Sequence, residues 1–218
     1  MKPKLLYIFD PICGWCFGMS PTITALHDAW KEEVDFDVIS GGMVLGDRVG
    51  PIRTFSHIIQ GSRARLEETT GVRFGEAFWS KLEQGDMVMG SLKPSVALAV
   101  SRDLAPGRSV EFAAALQQAI YVDGMEPMVT EQYRTLAESF GLDADEFIKR
   151  MEFPHYEMVA NKDFAQSAKW GIQGFPSVVV FHQDQGYLIA RGYLPFEALD
   201  RTLREILQPV TSVPPSRP

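Results

Sequence analysis

Both cysteines of the chain stand in one seven-residue segment, Asp10-Pro11-Ile12-Cys13-Gly14-Trp15-Cys16, with two residues between them. The reactive form of a cysteine is its thiolate, and a free thiol ionises only near pH 8.5, so a working cysteine needs local help. Helix starts give that help, because unpaired backbone amides and the helix dipole favour negative charge there. The spacing puts Cys16 one helical turn behind Cys13, close enough to pair with it. The expected division is Cys13 as exposed nucleophile and Cys16 as shielded resolving thiol. Gly14 would permit the tight turn, and Trp15 would offer an apolar surface beside the sulfur.

The elements needed to position such a pair are legible around it. Lys4 to Phe9 reads as a short buried strand, about Trp15 to Trp30 as a helix, and Val34 to Ile39 as an alternating strand. Strand, helix, strand in succession demands a parallel pair with a right-handed crossover. Pro21 lacks an amide donor and is expected to kink the helix. From Pro51 to about Lys169 strand signals stop, and helices are expected over about 51–69, 76–84, 94–104, 109–122, 130–140, 143–152 and 156–170. Thr130 reads as an N-cap, and Gly141 and Gly171 as helix-terminating residues. After the break at Gly174-Phe175-Pro176, Ser177 to Phe181 reads as an apolar strand. A turn over Gln183 to Gly186, a strand over Tyr187 to Tyr193 and a helix over Pro195 to Leu207 follow. The fold class is therefore α/β, ordered βαβ, helical block, ββα. Residues 1–50 and 171–208 form one unit, 51–170 an inserted helical subdomain, and 209–218 a disordered tail.

Composition removes several functions. The 218 residues carry a net charge of −7, which disfavours nucleic acid as a partner. No stretch approaches the ~20 apolar residues of a membrane span. The apolar run after Lys4 ends at Asp10, shorter than the roughly 7–15 residues of a secretory leader. The expected location is cytoplasmic, where structural disulfides are rare and a cysteine pair is more often catalytic or metal-binding. A zinc site needs about four ligands, and His27, His57, His155 and His182 are scattered, so no metal is expected. A structural disulfide would close a tiny loop and stabilise little. Redox exchange keeps the field.

Phe9-Asp10-Pro11-Ile12-Cys13-Gly14-Trp15-Cys16, Gly174-Phe175-Pro176-Ser177 and the helical block between them together resemble the DsbA-like branch of the thioredoxin superfamily. The resemblance extends over nearly the whole chain, and within the branch it is nearest to cytoplasmic members of the FrnE type. It implies a thioredoxin fold carrying an inserted helical subdomain, and a thiol–disulfide oxidoreductase or isomerase with no cofactor beyond its redox-active disulfide. Glutathione is a candidate co-substrate, and the substrates would be protein or small-molecule disulfides. It implies that Pro176 is cis and packs on the cysteines, and that Phe175, with Gly174, offers backbone to substrate. Asp10 becomes the candidate proton acceptor for Cys16, or else simply caps the turn at Cys13. Gly-Trp between the cysteines departs from the Pro-His of strongly oxidising members and removes one stabiliser of the thiolate. Met43, Met87, Met89, Met125 and Met128 would supply either an adaptable apolar surface or core filler.

Two other functions fit parts of this pattern. Kappa-class glutathione transferases and 2-hydroxychromene-2-carboxylate isomerases are similar in architecture, but usually carry serine at the active position, so the retained cysteine pair weighs against them. A chaperone-like adaptor with a vestigial dithiol is the other. Neither the reducing partner nor the oligomeric state leaves a mark in the sequence.

Overall fold

The computed structural model describes residues 2–208. The tail expected at 209–218 lies outside the described residues. Strand β1 (Lys4–Phe9) is paired in parallel with β2 (Asp35–Ser40), and α1 (Gly14–Trp30) crosses between them. On its other side β1 pairs antiparallel with β5 (Ser177–His182), which pairs antiparallel with β6 (Gln185–Arg191), giving the order β2-β1-β5-β6. Leu5, Tyr7 and Phe9 face one side of the central strand and join the main core. Leu6 and Ile8 face the other side, with Ile39 and Val179. A strand covered on both faces reads as an unbroken apolar run, which is why β1 shows no alternation. Its C-terminal end delivers Asp10 and the cysteine loop to the place where α/β sheets bind ligands.

The insertion consists of α2 (Ser56–Thr70), α3 (Glu76–Gln84), α4 (Leu92–Leu104), α5 (Ser109–Tyr121), α6 (Tyr133–Ser139), α7 (Ala144–Met151) and α8 (Pro154–Lys169), and α9 (Phe196–Leu207) closes the chain. It also holds a two-residue antiparallel pair, β3 (Gly50–Pro51) with β4 (Val88–Met89), where no strand is expected. Such a pair is too short to show a period in sequence. The hairpin turn is shorter than expected: only Gln183 and Asp184 lie in it, with φ of 50° and 62°. Two left-handed residues in a two-residue loop match the twist of the flanking strands, so pairing continues to the turn itself. Thr130 does not cap α6; it opens a 3₁₀ turn, and its hydroxyl accepts from Lys93. Gly141 and Gly171 do end their helices, with φ of 70° and 68°. The α1 helix runs unbroken through Pro21.

The insertion is clamped to the sheet domain over the N-terminal half of α1. A Cβ on Gly14 would lie 3.3 Å from Leu66 Cδ1, and one on Gly18 would lie 2.7 Å from Thr70 Cγ2. The two glycines are four residues apart and form the groove in which α2 lies. Gly14 therefore serves close helix approach, and it begins α1 instead of making a turn. Phe17 of α1 stacks on Tyr121 of α5 with centroids 5.2 Å apart, and Phe74 and Phe78 complete the aromatic seam. At the other end, Arg102 of α4 reaches Asp163 of α8 at 2.7 Å and the Val38 carbonyl of β2 at 3.1 Å.

Candidate active site

Cys13 is the N-cap of α1, with extended backbone (φ −92°, ψ 114°). Its Sγ takes the place usually held by a capping oxygen and accepts from the Cys16 amide at 3.3 Å. The Cys13 amide donates to the Asp10 carbonyl at 3.0 Å, which closes the loop beneath it. Its thiol faces the Phe175 carbonyl at 3.6 Å, immediately before the cis Phe175–Pro176 bond. Both cysteines are free thiols.

Cys16 is fully buried and lies within hydrogen-bonding reach of the Cys13 sulfur. Burial raises its pKa well above the ordinary range, and the neighbouring Cys13 pushes the same way. The Asp10 amide opposes the rise and the Asp10 carboxylate adds to it. The Tyr7 hydroxyl donates to the Cys16 carbonyl at 3.3 Å and lies close to its sulfur, and burial holds that phenol neutral. The proton thus stays on Cys16, held behind Cys13.

Asp10 is also fully buried. Oδ1 accepts from the Ile12 amide at 3.1 Å and the Ser91 hydroxyl at 2.9 Å, and Oδ2 from the Met43 amide at 2.6 Å. Burial lifts its pKa from 3.8 to about 6, against the pull of these donors. Its oxygens cap the turn, one of the two roles expected of it, and they also tie three separate segments together.

One expectation is overturned: Cys13 is not exposed. It retains 5% of its accessible surface, because α2 and the 43–44 segment close over the loop. The space left above it is a cavity of about 230 Å³. Ile12 and Trp15 line it from the loop side, Met43 and Val44 from the segment after β2, and Phe55, Ile58, Ile59 and Leu66 from α2 and its approach. Phe74, Met89 and Tyr121 close its back. Trp15 sits where the sequence expects it. Gly174 and Phe175 are not part of the wall. The Phe175 ring turns onto Gly41, so this residue meets Cys13 through its carbonyl. Of the five methionines, Met43 and Met89 reach the cavity, while Met87 and Met125 are core. Met128 is half-buried against Gly90.

Sequence reading missed two supports. Ser91 accepts from the Val44 amide at 2.9 Å while donating to Asp10. Gln117 of α5 is buried beside the start of α1. Turned so that both ends of its amide are satisfied, it donates to the Cys16 carbonyl at 3.2 Å and accepts from the Phe17 amide at 3.1 Å. Neither residue carries a sequence signal, since a serine or glutamine in a helical block is ordinarily surface. Among the described residues no group of three or more His, Cys, Asp or Glu is placed to hold a metal.

Residues 5–204 match the DSBA-like thioredoxin domain family. The chain belongs to that family. This DSBA-like protein superposes on a Nitrosomonas europaea structure described as a "putative protein disulfide isomerase" with a TM-score of 0.80. The two share 26% identity over 94% of this chain and 97% of the other. It superposes on the cytosolic disulfide reductase DsbM of Pseudomonas aeruginosa with a TM-score of 0.79, at 22% identity over 93% and 98% of the two chains. A structure of DsbM with GSH matches with a TM-score of 0.76. A 2-hydroxychromene-2-carboxylate isomerase shares the fold at a TM-score of 0.61 and 10% identity, over 93% of this chain and 92% of that one. No curated protein matches the chain in sequence. The DSBA-like family assignment makes it a thioredoxin-fold oxidoreductase.

Proposed function

We propose that this DSBA-like protein exchanges its Cys13–Cys16 dithiol with disulfide substrates. The Cys13 thiolate attacks one sulfur of the substrate, forms a mixed disulfide and expels the other sulfur as a thiolate. Cys16 then attacks Cys13 Sγ, closes the internal disulfide and releases the second thiolate. Two electrons pass to the substrate, and the two cysteine protons finish on its two thiols. A small thiol returns the pair to the reduced state, and no other cofactor enters.

The observation that carries this reading is the asymmetry of the pair. One sulfur caps a helix beneath a cavity, and the other keeps its proton behind it, within bonding reach. Asp10 is assigned the resolving proton, since it titrates near neutrality and its charge acts on Cys16. Pro176 holds the Phe175 carbonyl against the nucleophile. Isomerisation of protein disulfides would use the same first step.

A cytoplasmic setting supports net reduction. DsbM, described as cytosolic, shares the fold, and among the described residues no helix is long and apolar enough to cross a membrane. The test is reduction of a small disulfide by wild type and by Cys13→Ser. Loss of activity in the variant is expected, and equal activity would remove the proposal.

A further inference from the structure

The cavity over Cys13 belongs to the proposed exchange site but says more than the dithiol does. Its wall contains no charged side chain. The polar side-chain groups in it, apart from the Cys13 thiol, are the hydroxyls of Ser62 and Tyr121 and the indole N–H of Trp15, all uncharged. Ser62 already donates to the Ile58 carbonyl at 2.8 Å, and burial keeps the Tyr121 phenol neutral. An ionised or zwitterionic substituent placed here would lose its water and find no counter-charge, at a cost of several kcal/mol. An apolar one would lose nothing. The volume of about 230 Å³ exceeds the ~150 Å³ of an apolar cavity that admits benzene. One side of the mouth is left unfinished: Ile58 is 69% exposed on the rim, with apolar surface that no part of the described chain covers.

We infer that the cavity receives the carbon substituent of a small-molecule disulfide, an alkyl or aryl group no larger than about one ring, and so makes the protein selective for apolar small disulfides. A small molecule is favoured over a folded protein because Cys13 is buried, with 5% of its surface accessible, and lines this space. The inference rests on the dithiol exchange proposed above and adds the substrate class. In the step concerned, Cys13 Sγ bonds to the substrate sulfur nearer the cavity while the S–S bond breaks. The departing alkanethiolate takes a proton. Cys16 then releases the seated alkanethiolate in the same way, and a small thiol later supplies the two electrons that reduce the protein.

The experiment uses the fully reduced protein and the homologous series dimethyl, diethyl, dipropyl and dibutyl disulfide, whose sulfur chemistry is nearly constant. The second-order rate of Cys13–Cys16 disulfide formation is read by mass spectrometry and divided by the rate for free dithiothreitol. The ratio should climb about fourfold for each methylene that the cavity buries, then level off once it is full. Ile59→Glu, checked for folding by its melting curve, should flatten the climb, and Ser62→Val should steepen it. A ratio that is flat across the series while all members react would overturn the inference and leave the exchange reading standing. No oxidation by any member would remove the exchange reading, and this inference with it. Insulin disulfides reacting faster than dipropyl disulfide would also overturn the assignment to small molecules.

Discussion

Replacing Asp10 by asparagine separates the charge of the buried carboxylate from its shape. Burial lifts its pKa from 3.8 to about 6, so the folded protein holds this proton more tightly than the unfolded chain does. Stability contributed by the group is therefore fullest at low pH and falls as pH rises from about 4 through 6. Over the whole shift, about 2.2 units at ~1.36 kcal/mol each, the loss is about 3 kcal/mol, of which about 2.4 kcal/mol falls between pH 4 and 7.5. The asparagine of Asp10→Asn cannot ionise and escapes that loss. It also presents an amide NH₂ where one oxygen stood, which spoils the bond to Met43 or to the Ile12 and Ser91 pair, a roughly pH-independent cost of about 1–3 kcal/mol. The constant cost cancels when one compares how wild type and variant change with pH. Urea unfolding of both proteins at pH 4 and 7.5 should show the variant gaining about 2 kcal/mol relative to wild type as pH rises. A relative change under about 0.5 kcal/mol would refute the argument that burial, and not the three donors, controls Asp10.

Two further substitutions probe the supports. Ser91→Ala removes the acceptor of the buried Val44 amide and a donor to Asp10. It should cost about 1–3 kcal/mol, lowering Tm by several degrees, and differential scanning calorimetry reads it. Gly41→Ala would put a Cβ 1.9 Å from the Phe175 ring, so the ring must move and carry its carbonyl away from Cys13. A loss of about 1–3 kcal/mol with slower disulfide reduction is expected, and Phe175→Leu in the same chain should recover most of it, as a double-mutant cycle in chemical denaturation would show.

The parts of the fold carried by local pattern are legible in sequence. The apolar run of β1, the βαβ order and the glycines ending α6 and α8 each follow from rules spanning a few residues. The hairpin turn reads as too long because Gln183 and Asp184 are not the glycine or asparagine that usually announces two left-handed residues. The β3–β4 pair shows no period at all. At the site, Cys13, Cys16, Asp10 and Trp15 announce themselves by type and spacing. The burial of Cys13 does not, because it is imposed by α2, about fifty residues away in sequence. The only local hint is Ile58-Ile59 standing in an otherwise polar helix beside Leu66. Gln117 and Ser91 act entirely through tertiary placement, where sequence separation hides them.

The central claim is that Cys13 attacks and Cys16 resolves, and trapping tests it most directly. Cys16→Ser protein incubated with a small disulfide, then analysed by intact-mass spectrometry and peptide mapping, should accumulate one substrate thiol bonded to Cys13. Cys13→Ser under the same conditions should accumulate none, because Cys16 is buried and holds its proton. A stable adduct on Cys16, or no adduct on either variant, would contradict the account.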